Sequence, residues 1–284
     1  MASLDRRLNA FRDDLADARL EDQVKSARFV DGAPRQVVRP LASLRHDPAP
    51  GTTLVSELLS GDTVTVFEEK DGYVWVQNDA DGYVGYTDVD ALSGDIVAPT
   101  HVVAHIHTCL YPEPRIKAPH CAILPMCAKV AITGEKGRYS ELAGGGWVPT
   151  QHLAPLDIFE DDFVVVAERF IGVPYVWGGR SSRGLDCSAL VQLALARCGV
   201  GIPRDSDMQE RAFPMTVAYD GDETALQRGD LVFWKGHVGI WIEPGRFLHA
   251  NASDMCVAAA PLADVIDWIV QVEGTPVSSV RRPG

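Results

Sequence analysis

Apolar residues at Leu4, Leu8, Phe11, Leu15, Ala18 and Leu20 recur every three to four positions, with charged residues between them. That is the helical period, so residues 1–28 are expected to form an amphipathic N-terminal helix. Residues 35–50 are rich in proline and are expected to be mostly irregular. From Thr53 the period shortens to two. Residues 58–67 end in alternating β-branched residues, Tyr73–Gln77 and Tyr83–Tyr86 read as two further strands, and Asp71-Gly72 and Asp81-Gly82 mark tight turns. Short strands cut by Asp-Gly turns predict a small antiparallel barrel over residues 29–95. The texture then repeats. Residues 102–110, 129–133 and 146–149 read as strands, and Tyr83-Val84-Gly85-Tyr86…Leu92 resembles Gly146-Trp147-Val148-Pro149…Leu153. A second barrel is therefore expected over residues 96–156.

After Pro155 helix and strand patterns mix. Residues 161–171 and 188–198 carry helical periods, and Gly199 stands where a helix C-terminus calls for a left-handed residue. Residues 231–234 and 237–242 read as a hairpin through Lys235-Gly236, with a further strand over 247–250. Helices first and an antiparallel sheet after predict an α+β domain over residues 157–284.

Composition adds exclusions. The 284 residues are 46% hydrophobic and 23% charged, enough for more than one core, and the net charge is −13. Such acidity argues against nucleic acid or an anionic membrane as partner. The N-terminus is charged from Asp5 onward and shows no apolar leader segment, so a cytoplasmic protein is expected if this is the native start. The six cysteines, Cys109, Cys121, Cys127, Cys187, Cys198 and Cys256, are then expected as free thiols. They contain no CxxC pair. His101, His105 and His107 alternate along one strand, but no carboxylate or cysteine is placed to complete a metal site, so no metal is expected.

One segment carries chemistry. Tyr175-Val176-Trp177-Gly178-Gly179 runs through a Gly-rich turn to Leu185-Asp186-Cys187-Ser188, where a helical run begins. A helix start offers unpaired N–H groups and the positive end of the dipole, which favour a thiolate at Cys187. Such a nucleophile needs a histidine base, and the base needs a third group to orient it. His237 and His249 are the histidines in the same half of the chain, and adjacent antiparallel strands would bring them within reach of each other.

These residues carry a resemblance. Pro174-Tyr175-Val176-Trp177-Gly178-Gly179, Leu185-Asp186-Cys187-Ser188-Ala189-Leu190-Val191-Gln192, Ile202-Pro203-Arg204-Asp205-Ser206-Asp207-Met208-Gln209, Gln227-Arg228-Gly229-Asp230-Leu231-Val232-Phe233-Trp234, His237-Val238-Gly239-Ile240 and Leu248-His249-Ala250 follow one another as in the NlpC-type papain-like cysteine peptidases. The upstream repeats resemble bacterial SH3-like modules. The whole layout is similar to three-domain γ-D-glutamyl-L-diamino acid endopeptidases of murein peptide recycling.

The resemblance implies Cys187 as nucleophile, His237 as base and His249 as the orienting third member. It implies Tyr175 beside the nucleophile, with Asp186, Ser188 and Ser206 lining the groove and Asp205 facing a substrate ammonium. It also implies an acidic residue and a tyrosine from the first SH3-like module, matched by Glu57 and Tyr83, with Tyr86 as a rival. The implied substrate is a short murein peptide, L-Ala-γ-D-Glu-diamino acid, with a free N-terminus. The diamino acid stays open between meso-diaminopimelate and lysine, and the chemistry calls for no metal or organic cofactor. Three other readings stand beside this one: a secreted wall hydrolase with wall-targeting SH3-like modules, a non-catalytic peptide-binding protein, and the same fold turned to other acyl chemistry.

Overall fold

The computed structural model describes residues 4–284. The chain divides into two compact units, Met1–Ile158 and Phe159–Gly284.

The expected N-terminal helix does not form; its first three residues lie outside the described ones. Residues 4–28 make turns, a bridge between Phe11 and Ala16, and a short strand β1 (Ala16–Asp17) paired in parallel with β2 (Phe29–Val30). Short polar side chains capture the backbone locally. Asp5 accepts from the Arg7 N–H, Asn9 donates to the Asp5 carbonyl, and Asp17 accepts from the Arg19 N–H. These bonds compete with a helical ladder. The backbone also docks on the sheet beside it, with the Val84 N–H donating to the Arg7 carbonyl and Gln77 Nε2 to the Leu8 carbonyl. The apolar period marks burial all the same, because Ala10 and Leu15 pack with Phe67 and Trp75.

The first module is a seven-stranded sheet built from β3 (Ala33–Val37), β4 (Leu41–Arg45), β5 (Leu54–Leu59), β6 (Thr63–Lys70), β7 (Tyr73–Asn78), β8 (Val84–Asp88) and β9 (Leu92–Ser93), ordered β5-β4-β8-β7-β6-β3-β9. Two of these strands lie in the stretch expected to be irregular. Pro40 sits in the link between β3 and β4, and Pro48 and Pro50 fall in the loop before β5, so the prolines punctuate strands. Alternate residues such as Leu44, Leu58, Val64, Val74 and Val76 form the core.

The second module contains β10 (His101–Val103), β11 (His107–Leu110), β12 (Ala122–Pro125), β13 (Lys129–Val130), β14 (Ile132–Lys136), β15 (Tyr139–Leu142), β16 (Trp147–Pro149) and β17 (Leu153–Pro155). They form three small sheets, β13-β10-β17, β11-β12 and β14-β15-β16, with a bridge from Tyr111 to Trp147. Neither module closes its ladder into the expected barrel. In the first, β5 and the two-residue β9 remain as edges; in the second, strands of two to five residues end at Pro125, Pro149 and Pro155, which lack a donor. The repeat itself is real: both modules end in a strand, one 3₁₀ turn and another strand, Val84–Asp88 to Leu92–Ser93 and Trp147–Pro149 to Leu153–Pro155.

The second unit is α+β. Helix α1 (Phe163–Glu168) starts at Asp162, whose carboxylate accepts from the Val164 and Val165 N–H groups. A two-residue hairpin pair, β18 (Arg180–Ser181) and β19 (Gly184–Leu185), leads into α2 (Cys187–Arg197), and α3 (Ser206–Ala212) follows. A six-stranded sheet holds β20 (Thr216–Val217), β21 (Leu231–Trp234), β22 (His237–Glu243), β23 (Arg246–Asn251), β24 (Cys256–Ala260) and β25 (Ser279–Arg281), ordered β20-β25-β21-β22-β23-β24. Helix α2 is buried on nearly every face, as a helix apolar all round must be, and packs on β22 and β23. Helix α4 (Leu262–Glu273) places Leu262, Val265 and Ile269 against Val232, Trp234, Trp241 and Phe247. Gly199 ends α2 at φ +79°, as its position predicts. Among the described residues no helix is long and apolar enough to cross a membrane.

Candidate active site

The turn before α2 fixes the place of Cys187. Two glycines let the strands of this turn touch: a Cβ on Gly179 would lie 2.5 Å from the Gly184 carbonyl oxygen, and one on Gly184 would lie 2.3 Å from Val176 Cγ2. Asp186 then caps the helix. Its Oδ1 accepts from the Ala189 N–H at 2.9 Å and its Oδ2 from the Gly178 N–H at 3.0 Å. Arg204, which is fully buried, donates to both carboxylate oxygens at 2.8 and 2.7 Å, to Ser188 Oγ at 2.9 Å and to the Gly179 carbonyl at 3.2 Å. Ser188 Oγ donates to Asp186 Oδ1 at 3.1 Å, and Gln209 Nε2 donates to the Ser188 carbonyl at 2.9 Å. The side chains of Asp186 and Ser188, expected in the substrate groove, are thus tied into a buried network under the cysteine.

Cys187 is the first residue of α2 and is itself buried. Its thiol faces the Gly236 carbonyl oxygen at 4.0 Å. Burial pushes the thiol up to about 12, and the charge of Asp186 adds to the shift. The Val238 and Ser188 N–H groups and the Arg204 cation oppose it.

Gly236 and Val238 flank His237, the first residue of β22. Continuing the Ile240–Leu248 register by one residue brings Gly239 opposite His249 on β23. The missing side chain at 239 leaves the space that the Phe247 ring and the Cβ of His249 fill. His237 Nε2 lies 2.9 Å from His249 Nδ1, and the rings stand edge to face at 5.2 Å. Trp234 and Phe247 pack against the pair. Burial drives His237 down to about 3, with His249 adding to the shift, and drives His249 down to about 4 against the pull of Asp254. Thiol and imidazoles are therefore uncharged at neutral pH. One proton passed from sulfur to His237 would create a thiolate beside the N–H groups of a helix start, the arrangement that acyl transfer needs.

The other expected residues fall in several places. Tyr175 is half-buried before the turn, with its N–H bonded to the Met255 carbonyl. Burial raises its phenol, and the neighbouring Cys187 and Asp186 raise it further, so the hydroxyl is a neutral donor. Asp205 stands at the N-cap of α3 and accepts no side-chain cap bond there; Ser206 is the buried first residue of that helix. In the first unit Glu57 lies on β5 opposite Ser43, half-buried. Tyr83 packs in the core of the first module, while Tyr86 is half-buried and accepts from Arg12 at 2.6 Å. His105 and His152 stack at 4.3 Å in the second module, and among the described residues no three His, Cys, Asp or Glu side chains are placed to hold a metal.

Sequence reasoning missed Arg204, Gln209 and Asn251. The first sits in the Pro203-Arg204-Asp205-Ser206 segment, where a lone arginine before an acid reads as surface. Asn251, two residues beyond His249, gave no signal of its own.

Comparison with known proteins agrees with this architecture. Residues 172–266 match the NlpC/P60 family, and residues 44–92 match the bacterial dipeptidyl-peptidase SH3 domain. The chain is 29% identical to dipeptidyl-peptidase 6 of Lysinibacillus sphaericus over 243 residues, which covers 76% of this chain and 86% of that protein. It is 36% identical to the γ-D-glutamyl-L-lysine dipeptidyl-peptidase of Bacillus cereus over 110 residues, covering 36% of this chain and 32% of that protein. Against the protein of the same name from Bacillus subtilis the match is 28% over 167 residues, covering 54% and 53%. The matches thus span about a third and about half of these last two relatives. The crystal structure of an NlpC/P60 family protein from Bacillus cereus shares the fold, with a TM-score of 0.71 at 22% identity over 88% of this chain and 99% of that one. The chain thus carries an NlpC/P60 cysteine peptidase domain and, earlier in its sequence, an SH3 domain of the bacterial dipeptidyl-peptidase type.

Proposed function

We propose that this peptidase cuts the bond between γ-D-Glu and the diamino acid in short murein peptides with a free N-terminal L-Ala, releasing L-Ala-D-Glu in cytoplasmic recycling of wall peptides. The observation that carries the peptidase chemistry is the 2.9 Å contact of His237 and His249 beside a buried Cys187 at a helix start. The dipeptidyl-type SH3 domain supports the substrate class.

In this reading His237 takes the thiol proton. The thiolate attacks the γ-carbonyl carbon of D-Glu, the C–N bond breaks, and His237 returns the proton to the leaving amine. Water then attacks the thioester, giving its proton to His237, and the dipeptide acid leaves as the thiol re-forms. The Cys187 N–H and the neutral hydroxyl of Tyr175 stabilise the oxyanion. A free α-ammonium requires a carboxylate partner in a partly dehydrated pocket, and Asp205 is the candidate in the second unit. Ser206, beside Asp205, is the second candidate there.

The test is to incubate the protein with L-Ala-γ-D-Glu-meso-diaminopimelate, with its lysine counterpart and with the N-acetylated forms, and to identify products by mass. Release of L-Ala-D-Glu from the free-amine peptides alone is the expected result. Equal cleavage of the acetylated forms would overturn the free-amine requirement, and activity on intact wall would favour the secreted hydrolase.

A further inference from the structure

Behind His249 lies a buried side chain whose orientation is over-determined. Asn251, 4% exposed, ends β23 two residues beyond His249. Its Oδ1 accepts from Ser253 Oγ at 2.7 Å and from the Asp254 N–H at 2.7 Å. Its Nδ2 donates to Asp254 Oδ2 at 3.1 Å and faces His249 Nε2 at 3.1 Å. Turning the amide over would set its NH₂ against the Asp254 N–H and its oxygen against the Asp254 carboxylate, two repulsive contacts. The surrounding donors and acceptors therefore settle which way it points.

An amide nitrogen can only donate. His249 Nε2 must then be the acceptor, and the proton of neutral His249 sits on Nδ1. That N–H donates to His237 Nε2, so neutral His237 carries its own proton on Nδ1. Yet Nε2 of His237 is occupied, and Nδ1 is the nitrogen left to receive the thiol proton. In the resting arrangement that position is already filled.

We propose that Asn251 is a positioning residue that sets the tautomer of the His249–His237 pair and thereby holds Cys187 in its thiol form until the amide turns. The inference rests on the reading of Cys187 and His237 as nucleophile and base. Ionisation requires the other tautomer: the His237 proton moves from Nδ1 to Nε2 and donates to His249 Nδ1, the His249 proton moves from Nδ1 to Nε2, and the freed His237 Nδ1 gains the proton that sulfur loses. That last N–H would meet the amide NH₂ of Asn251, a donor against a donor. The titratable and charged groups around the pair are Cys187 and the Asp186–Arg204 pair from the α2 side and Asp254 from the turn after β23. The thiol's contact with the Gly236 carbonyl agrees with a resting thiol whose proton is not directed at His237.

Two measurements on the full chain test this. Long-range ¹⁵N–¹H spectra report which ring nitrogen carries the proton; the expected result is His249 protonated on Nδ1, and a proton on Nε2 overturns the inference. The second is the pH dependence of Cys187 alkylation by iodoacetamide, followed at that residue by peptide mass spectrometry. Asn251→Ser supplies a hydroxyl that can accept as well as donate. It should move the alkylation midpoint down by about one pH unit, about tenfold more thiolate near neutral pH, the scale expected when one buried donor clash is relieved. Ser253→Ala removes one of the bonds that hold Oδ1 and keeps the amide; it should shift the midpoint in the same direction by less, and it decides the matter if the first variant does not fold. Unchanged midpoints in folded variants would reduce Asn251 to a turn residue. The alkylation arm needs no substrate. A shift without dipeptide release would keep this inference and overturn the substrate reading, and release without a shift would do the reverse.

Discussion

A methyl group placed on Gly239 would sit 2.9 Å from His249 Cβ and 2.3 Å from the Phe247 ring. Glycine at 239 is therefore a condition for the imidazole pair. Neither Phe247 nor His249 can retreat easily, since both are buried between neighbouring strands. Gly239→Ala is expected to cost about 1–3 kcal/mol of stability through overpacking. If the proposed roles hold, it should also lower kcat/KM by at least about a hundredfold, because a shift on the order of 1 Å at the proposed base and its partner is enough for that. Urea unfolding and tripeptide hydrolysis measure the two effects. A stable variant with unchanged kcat/KM would show that the strand absorbs the methyl group without moving His249.

Under the cysteine the Arg204–Asp186 pair does structural work that a surface pair could not. With Arg204 at 1% and Asp186 at 11% side-chain exposure, both charges are out of water. Removing one partner leaves the other uncompensated, so Arg204→Leu should destabilise by about 3–5 kcal/mol. Arg204→Lys keeps the charge but cannot form the fork that reaches Asp186, Ser188 and Gly179 together, and it should fall between. Chemical denaturation would rank the three proteins. Equal stabilities for the leucine and lysine variants would mean that charge contributes little here and geometry most.

How far the sequence carried this site depends on how local each signal is. Cys187, its helix and the His237 and His249 strands were legible because each rests on a short run with a clear period and a glycine or turn at its end. Arg204 and Asn251 were not, because their roles exist only once α3 and the turn after β23 fold back on α2 and His249. The N-terminal period correctly marked Leu15 as buried but misread its element. Asp5, Asn9 and Asp17 satisfy the backbone without a helix, and the partner that buries Leu15 is a sheet face more than fifty residues away. Residues 35–50 misled in the opposite way, because their prolines flank β4 and hide two strands.

The paired histidines set the pH range of stability. His237 and His249 have folded values near 3 and 4, below the ordinary 6.5. Between those limits the unfolded chain binds protons that the folded one does not, so stability falls as pH drops below about 6.5. Each group contributes a slope of at most about 1.4 kcal/mol per pH unit in that window. Cys187 works at the other end. Its thiol stays protonated in the fold up to about 12 against an ordinary 9.0, so the unfolded chain releases a proton first and stability falls again above about 9. A plateau between roughly pH 6.5 and 9 is expected in urea midpoints. The paired variant His237→Gln with His249→Gln should flatten the acid limb; an acid limb unchanged in that variant would place its cause in other groups.

Arg12 anchors the N-terminal segment that did not become a helix. Its guanidinium lies 4.4 Å from the centre of the Trp75 ring, donates to Tyr86 Oη at 2.6 Å, and reaches Glu68 at 2.7 Å and Asp14 at 2.9 Å. A planar cation that stacks on one ring while bonding in its own plane to three acceptors cannot be replaced by an ammonium. Arg12→Ala should cost about 1–2 kcal/mol, the sum expected of one partly desolvated cation–π contact and its charge-assisted bonds after side-chain ordering. Arg12→Lys should recover less than half of that. The loss should be local: amide hydrogen exchange should speed at Ala16 and Asp17, whose N–H groups donate to the Arg28 and Ala10 carbonyls, while the amides of α2 and β22 keep their protection. Uniform loss of protection through both units would instead make Arg12 a determinant of the global fold.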